Sequence, residues 1–302
     1  MKRFIFCIAL IALLPVLSRP GYAAGGTKQA AVAQKAEAAN PADFVGSEVC
    51  ETCHAEVAKK FEGNPHNKIT LTHGAGTACE SCHGPGKAHV EGGGDVTKIK
   101  QLAKMTPAQV SETCLGCHAG AHPNFPRSPH AKAGVGCVSC HSIHAGNTED
   151  ALLKASQPQL CFQCHADIKP QFSMPFHHKV NEGLVKCSDC HDVHGTFGAN
   201  NIKSTADQNN ICTKCHAETR GPWVFEHAAI KGEGCTGCHS PHGSQNPRLL
   251  NVANINQLCN QCHSPVGAST VHGINAGSAE RQPCINCHTF IHGSNINPAF
   301  LR

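Results

Sequence analysis

The sequence predicts a mostly irregular chain with short α-helices and little or no β-structure, laid out as an elongated array of five repeats. Three observations carry that expectation. All 20 cysteines beyond residue 23 fall in the motif Cys-x-x-Cys-His, which recurs ten times with none left over. The motifs come in pairs whose starts lie 64, 47, 51 and 47 residues apart, the kind of period that marks units packing mainly on their neighbours. Aromatic residues are only 5% of the chain, with Trp223 the one tryptophan, so large side chains are too few to fill an interior. Between motifs the chain is rich in Gly, Pro, Ser and Asn, which signals loops rather than strands.

The motif cysteines are Cys50 and Cys53, Cys79 and Cys82, Cys114 and Cys117, Cys137 and Cys140, Cys161 and Cys164, Cys187 and Cys190, Cys212 and Cys215, Cys235 and Cys238, Cys259 and Cys262, and Cys284 and Cys287. Each pair is followed at once by a histidine: His54, His83, His118, His141, His165, His191, His216, His239, His263 and His288. Cysteines three apart share one side of a helical turn, so both thiols reach the two vinyl groups of one porphyrin while the next residue offers its imidazole to the iron. A disulfide scaffold gives no reason for a histidine after every second cysteine. Structural zinc does not require that histidine ten times out of ten, and a thioredoxin-like motif would occur once. The expectation is a multihaem cytochrome c with ten covalently bound haem c groups.

Thirteen further histidines lie outside the motifs. One follows the first motif of each pair: His66, His130, His178, His227 and His272. One follows the second: His89, His144, His194, His242 and His292. That supplies ten candidate distal ligands for ten irons and predicts bis-histidine iron throughout; His73, His122 and His177 are spare and read as solvated or hydrogen-bonded side chains. Met105 and Met174 sit at no repeating position and are not read as ligands. Which distal histidine serves which iron is not readable from spacing. With both axial positions filled, no iron is open to a substrate, so the chain is expected to move electrons and not to be an enzyme.

The start reads as a signal peptide over residues 1–23: Lys2 and Arg3, an apolar run over 4–17, and small residues before a cut after Ala23, with Ala24 as the alternative. Pro15 interrupts that run, which is short for a spanning helix, and Cys7 is expected to leave with the signal. Residues 24–46 read as a flexible leader rich in Ala, Gln and Lys. The cytochrome domain is expected over 47–296, with repeats at about 47–110, 111–157, 158–208, 209–255 and 256–296, and a tail over 297–302. The first repeat carries an insertion over 91–107. Glycine follows several distal candidates, at Gly195, Gly243, Gly273 and Gly293, and is expected to let the backbone pass close to a flat macrocycle.

The formal charge of +4 misleads. Without Lys2, Arg3 and Arg19, 22 basic residues face 21 acidic ones. Ten haems with their propionates bring the total to about −9 oxidised and about −19 reduced. Nucleic acid is therefore excluded as a partner, since no basic stripe interleaved with aromatics exists.

Particular phrases carry a resemblance: Cys82-His83-Gly84-Pro85 leading to His89, Glu218-Thr219-Arg220-Gly221-Pro222 leading to Glu226-His227, Cys238-His239-Ser240-Pro241-His242-Gly243, and Ile291-His292-Gly293-Ser294-Asn295. With ten motifs on about 300 exported residues, the chain resembles the MtrA/DmsE (MtoA/PioA-like) family of decahaem cytochromes over nearly all of 47–296. The resemblance implies two pentahaem halves forming a haem wire inside an outer-membrane β-barrel porin. It implies periplasmic cytochromes as partners on one side and an extracellular cytochrome, mineral or iron on the other, with metal-oxide reduction or Fe(II) oxidation as the net process. It also favours His178 over His177 as the distal ligand. The alternatives are a soluble periplasmic electron shuttle and a multihaem reductase with one open haem. The direction of electron flow is not written in these residues.

Overall fold

The structure is a computed structural model that describes residues 40–68, 78–144, 150–203, 209–263, 272 and 282–302. The expected signal peptide, most of the leader, His73 and Gly273 lie outside the described residues. Residues 40–302 form one unit. Its helices are short, and the longest described one, Pro107–His118, has 12 residues. That helix starts with a capping box, Thr106 and Gln109 each binding the other's backbone N–H, and has Pro107 at its first position. Among the described residues β-structure is limited to isolated bridges. The mostly irregular, short-helix architecture expected from the motifs is the one observed.

Side chains alone build almost no core. Among the described residues the buried hydrophobic ones are Phe61, Ala78, Val110, Phe125, Phe172 and Val180. Chain-to-chain ties are polar instead, and they recur from repeat to repeat. In four of the five repeats the N–H of the first cysteine in the second motif donates to a side chain placed just before the first motif. Cys79 donates to Ser47 Oγ at 3.4 Å, Cys137 to Ser111 Oγ at 3.3 Å, Cys235 to Asn209 Oδ1 at 2.9 Å and Cys284 to Asn256 Oδ1 at 3.0 Å. In the third repeat Ser188 N–H donates to Gln157 Oε1 at 3.0 Å and performs the same task.

The leader's last residues are held rather than free. Glu80 is only 2% exposed, and its carboxylate accepts from the N–H groups of Val45, Gly46 and Gly86. A buried carboxylate must find donors, and these backbone groups are the ones within reach.

Two isolated bridges link repeats. Phe176 pairs with Ser244, and Phe225 with Ser294, each through two backbone hydrogen bonds. The glycines beside them explain how these stretches of chain come so close. A Cβ on Gly243 would fall on the Gln171 carbonyl, and one on Gly293 would fall inside the Trp223 ring. Gly195 (φ +108°) likewise faces Ser128 and Asn124. These glycines make room for another stretch of chain, because His194, His242 and His292 lie just before segments that pack against a neighbouring repeat.

Candidate haem-binding site

Helical turns present the motif cysteines, as in Glu80–His83, Cys137–Cys140 and Cys187–Cys190, while Cys235–Gly237 and Cys284–Asn286 form tighter 3-10 turns. Within each repeat the first cysteines of the two motifs meet. The thiols of Cys50 and Cys79, Cys114 and Cys137, Cys161 and Cys187, and Cys212 and Cys235 lie close enough to shift each other's titration, as do those of Cys259 and Cys284. The contact separates the two thiols of a pair: the bond to Cys137 pushes Cys114 up, and Cys137 falls to about 5. Between repeats the second cysteines approach. Burial and then the charge of Cys117 raise Cys82, and Cys140 and Cys164, Cys190 and Cys215, and Cys238 and Cys262 interact in the same sense. Thioether formation ends these titrations; the succession remains, each motif adjoining the next along the chain.

The histidines pair across a gap, with the two ring planes inclined by anything from 9° to 71°. Ring centres lie 6.4 Å apart for His54 and His89, 6.1 Å for His83 and His144, and 5.9 Å for His118 and His66. The separations are 6.1 Å for His141 and His194, 6.1 Å for His165 and His130, and 6.0 Å for His191 and His242. They are 6.2 Å for His216 and His178, 6.3 Å for His239 and His292, 6.2 Å for His263 and His227, and 6.1 Å for His288 and His272. Every motif histidine thus faces one of the ten distal candidates, and no candidate is used twice. A first-motif histidine faces a ring from the preceding repeat, and a second-motif histidine a ring from the following one. The exceptions are His54 with His89 and His288 with His272, which pair inside the first and fifth repeats.

A metal–nitrogen bond of about 2 Å on either side, plus about 1 Å from nitrogen to ring centre, makes about 6 Å, so the gap accommodates an iron. Each pair supplies two nitrogens, and among the described residues no group of three or more His, Cys, Asp or Glu is placed to hold a metal ion. Two axial nitrogens suit an iron in a covalently attached macrocycle, whereas tetrahedral zinc would need two more donors converging with them. Trp223 Nε1, the one buried side-chain donor without an acceptor among the described residues, fits a site completed by a group bearing carboxylates.

Backbone carbonyls orient the rings. Nδ1 of His83, His141, His191, His239 and His288 lies 2.5–3.2 Å from the carbonyl oxygens of Lys100, Ala151, Asn200, Arg248 and Ala299. A carbonyl oxygen only accepts, so Nδ1 carries the proton and Nε2 keeps its lone pair for a metal. Three of these carbonyls come from turns with consecutive left-handed residues: Ala151 and Leu152, Asn200 and Asn201, and Arg248 and Leu249, with φ between 52° and 59°. Such strain in non-glycine residues persists where the surroundings hold it, here through bonds such as Ser240 N–H to the Leu249 carbonyl at 2.7 Å. On the distal side His89, His130 and His178 bind the carbonyls of Asp95, Val193 and Pro241, and His227 that of Ile291.

Burial lowers the proton affinity of His144, His194, His227, His242 and His292, with His194 taken down to about 4. Neutral imidazole is the form that binds a metal. Of the spare histidines, His177 binds the Met174 carbonyl and, at 3.0 Å, Glu182. His122 is half-buried, its ring 3.9 Å from that of His194. Sequence reasoning missed the carbonyl anchors, which leave no side-chain signature. The ties at Ser47, Ser111, Asn209 and Asn256 did leave one, a Ser or Asn three residues before the first motif cysteine.

A family model described as a doubled CXXCH motif matches residues 130–170, 177–221 and 227–268, and one described as cytochrome c554 and c-prime matches 22–84 and 89–142. The chain is 31% identical to "Multiheme cytochrome MtrA" of Shewanella baltica over 268 residues, 83% of this chain and 79% of that protein. The chain belongs to the MtrA-like family of multihaem cytochromes. It is also 23% identical to "C-type polyheme cytochrome OmcB" of Geobacter sulfurreducens, over 84% of this chain and 37% of the relative. With "Cytochrome c-type protein NrfB" of Escherichia coli it shares 31% over 32% of this chain and 52% of the relative. Like other MtrA-like chains it is a multihaem electron-transfer protein carrying covalently bound haem c.

Proposed function

We propose that the chain carries ten haem c groups, each iron held between two histidines, and conducts electrons across an outer membrane inside a β-barrel porin. The observation that carries the ligation is the set of ten imidazole pairs with ring centres 5.9–6.4 Å apart. When bound, haem c supplies a one-electron couple at each centre and a route for hopping between neighbours. The chain's own part is to attach, align and shield. Its cysteines fix each group at two points, and its imidazoles occupy both axial positions, leaving none for a substrate. That argues for transport and against an enzyme. The domain is proposed to be five repeats over 47–296 behind an export signal.

Among the described residues no helix is long and apolar enough to cross a membrane, so a conduit of this kind requires a second chain to face lipid. The family supports the barrel reading, with periplasmic cytochromes at one end and an extracellular cytochrome, mineral or iron at the other. Mild detergent extraction of membranes from a native host tests it. Co-purification with an outer-membrane barrel protein is expected; complete recovery in the soluble periplasmic fraction would favour the free shuttle.

A further inference from the structure

The bonds to ring Nδ1 follow a rule that no single site reveals. In nine of the ten pairs one imidazole has Nδ1 held by an oxygen at hydrogen-bond distance, and in the tenth His227 binds the Ile291 carbonyl. In the second motif of every repeat the held ring is the motif histidine. In the first motif it is the distal one. The nearest exceptions among the other rings are His194 and His216, whose Nδ1 atoms lie 3.8 and 3.6 Å from carboxylates, beyond hydrogen-bond range. Holding Nδ1–H raises the basicity of the imidazole toward a metal and stabilises the oxidised iron. One held ring per iron therefore applies the same bias along the whole array.

Nine of the ten acceptors are backbone carbonyls. The tenth is a side chain, Asn64, which is 4% exposed. Its Oδ1 lies 3.1 Å from His66 Nδ1 and also accepts His66 N–H at 2.9 Å, which identifies that atom as the oxygen. Its Nδ2 donates to the Ile143 carbonyl. In later repeats His130, His178 and His227 bind directly the carbonyl preceding His194, His242 and His292. Ile143 is the residue preceding His144, so it is the equivalent acceptor. The first repeat period is 64 residues against 47 to 51 later, and Asn64 is interposed between ring and carbonyl where the spacing differs. An amide whose N–H is already donating is a stronger acceptor through its oxygen.

We propose that Asn64 is a positioning residue that sets the reduction potential of the iron between His66 and His118, replacing the carbonyl that serves the other nine. The proposal rests on the bis-histidine reading and is tested beside it on the haem-loaded full chain. His66→Ala should turn one of ten haems high-spin. Asn64→Leu should keep every haem low-spin and move one step of the redox titration to higher potential; Asn64→Asp, with a charged acceptor, should move one step lower. A titration curve unchanged by either Asn64 variant, with His66→Ala high-spin, overturns the proposal and leaves the ligation reading intact. A His66→Ala protein that stays wholly low-spin overturns the ligation at this iron and the proposal with it. Haem loss in both Asn64 variants, in place of a moved step, overturns it in favour of a purely structural asparagine.

Discussion

A histidine that faces a partner ring at 6.0 Å and one bonded to a carboxylate at 3.0 Å have different work to do, and His242 and His177 make that comparison. His242 is half-buried opposite His191, its proton affinity lowered by burial. We expect His242→Ala to leave one iron five-coordinate and high-spin while nine stay low-spin. His177→Ala should leave all ten low-spin, since His178 faces His216 and His177 only caps its own turn. Electronic absorption and EPR of the ferric protein read both. The ten rings that face the motif histidines were legible in the sequence because each follows its motif in order. The pairing was not. His191 and His242 are 51 residues apart, and nothing in either neighbourhood names the other. The carbonyl anchors were less legible still, since any residue can offer one: Ala151, Asn200 and Arg248 do the same job.

The bridge between Phe176 and Ser244 is the element that joins histidines of two different ring pairs. His178 follows Phe176 by two residues and faces His216; His242 precedes Ser244 by two and faces His191. Gly243 lies inside the bridge, and a Cβ there would strike the Gln171 carbonyl, which is backbone and cannot swing aside. Gly243→Ala should cost about 1–3 kcal/mol as overpacking. For a chain of this size that lowers Tm by roughly 2–10 °C, with some low-spin haem lost on the His191 side. Gly232→Ala is the comparison: nothing lies within 4 Å of a Cβ there, and it ends the helix Ala228–Gly232. It should be neutral or stabilise by up to about 1 kcal/mol. Thermal melts followed in the Soret band separate the two. The glycine was visible in the sequence, but its neighbour was not, because the close approach is to a 3-10 turn 72 residues away (Gln171 to Gly243).

At the scale of the molecule, an array with six buried hydrophobic residues among those described has its polar ties and, on the proposed ligation, irons shared between repeats to hold it together. Eight of the ten ring pairs join consecutive repeats, first motifs reaching back and second motifs forward. Cooperativity should therefore be nearest-neighbour, as in other repeat arrays. This makes the effect of removing a repeat countable. A chain ending at residue 255 keeps eight motifs, Cys50 to His239, and seven of their histidines retain their partners. Only His239 loses its partner, His292, while His227 loses His263 and is left without an iron to serve. We expect one high-spin haem in eight. Had each repeat supplied its own two distal ligands, His242 would have served His239 and none of the eight would be high-spin. A truncated protein with eight low-spin haems would therefore contradict the interlocking of repeats, whichever way its electrons run.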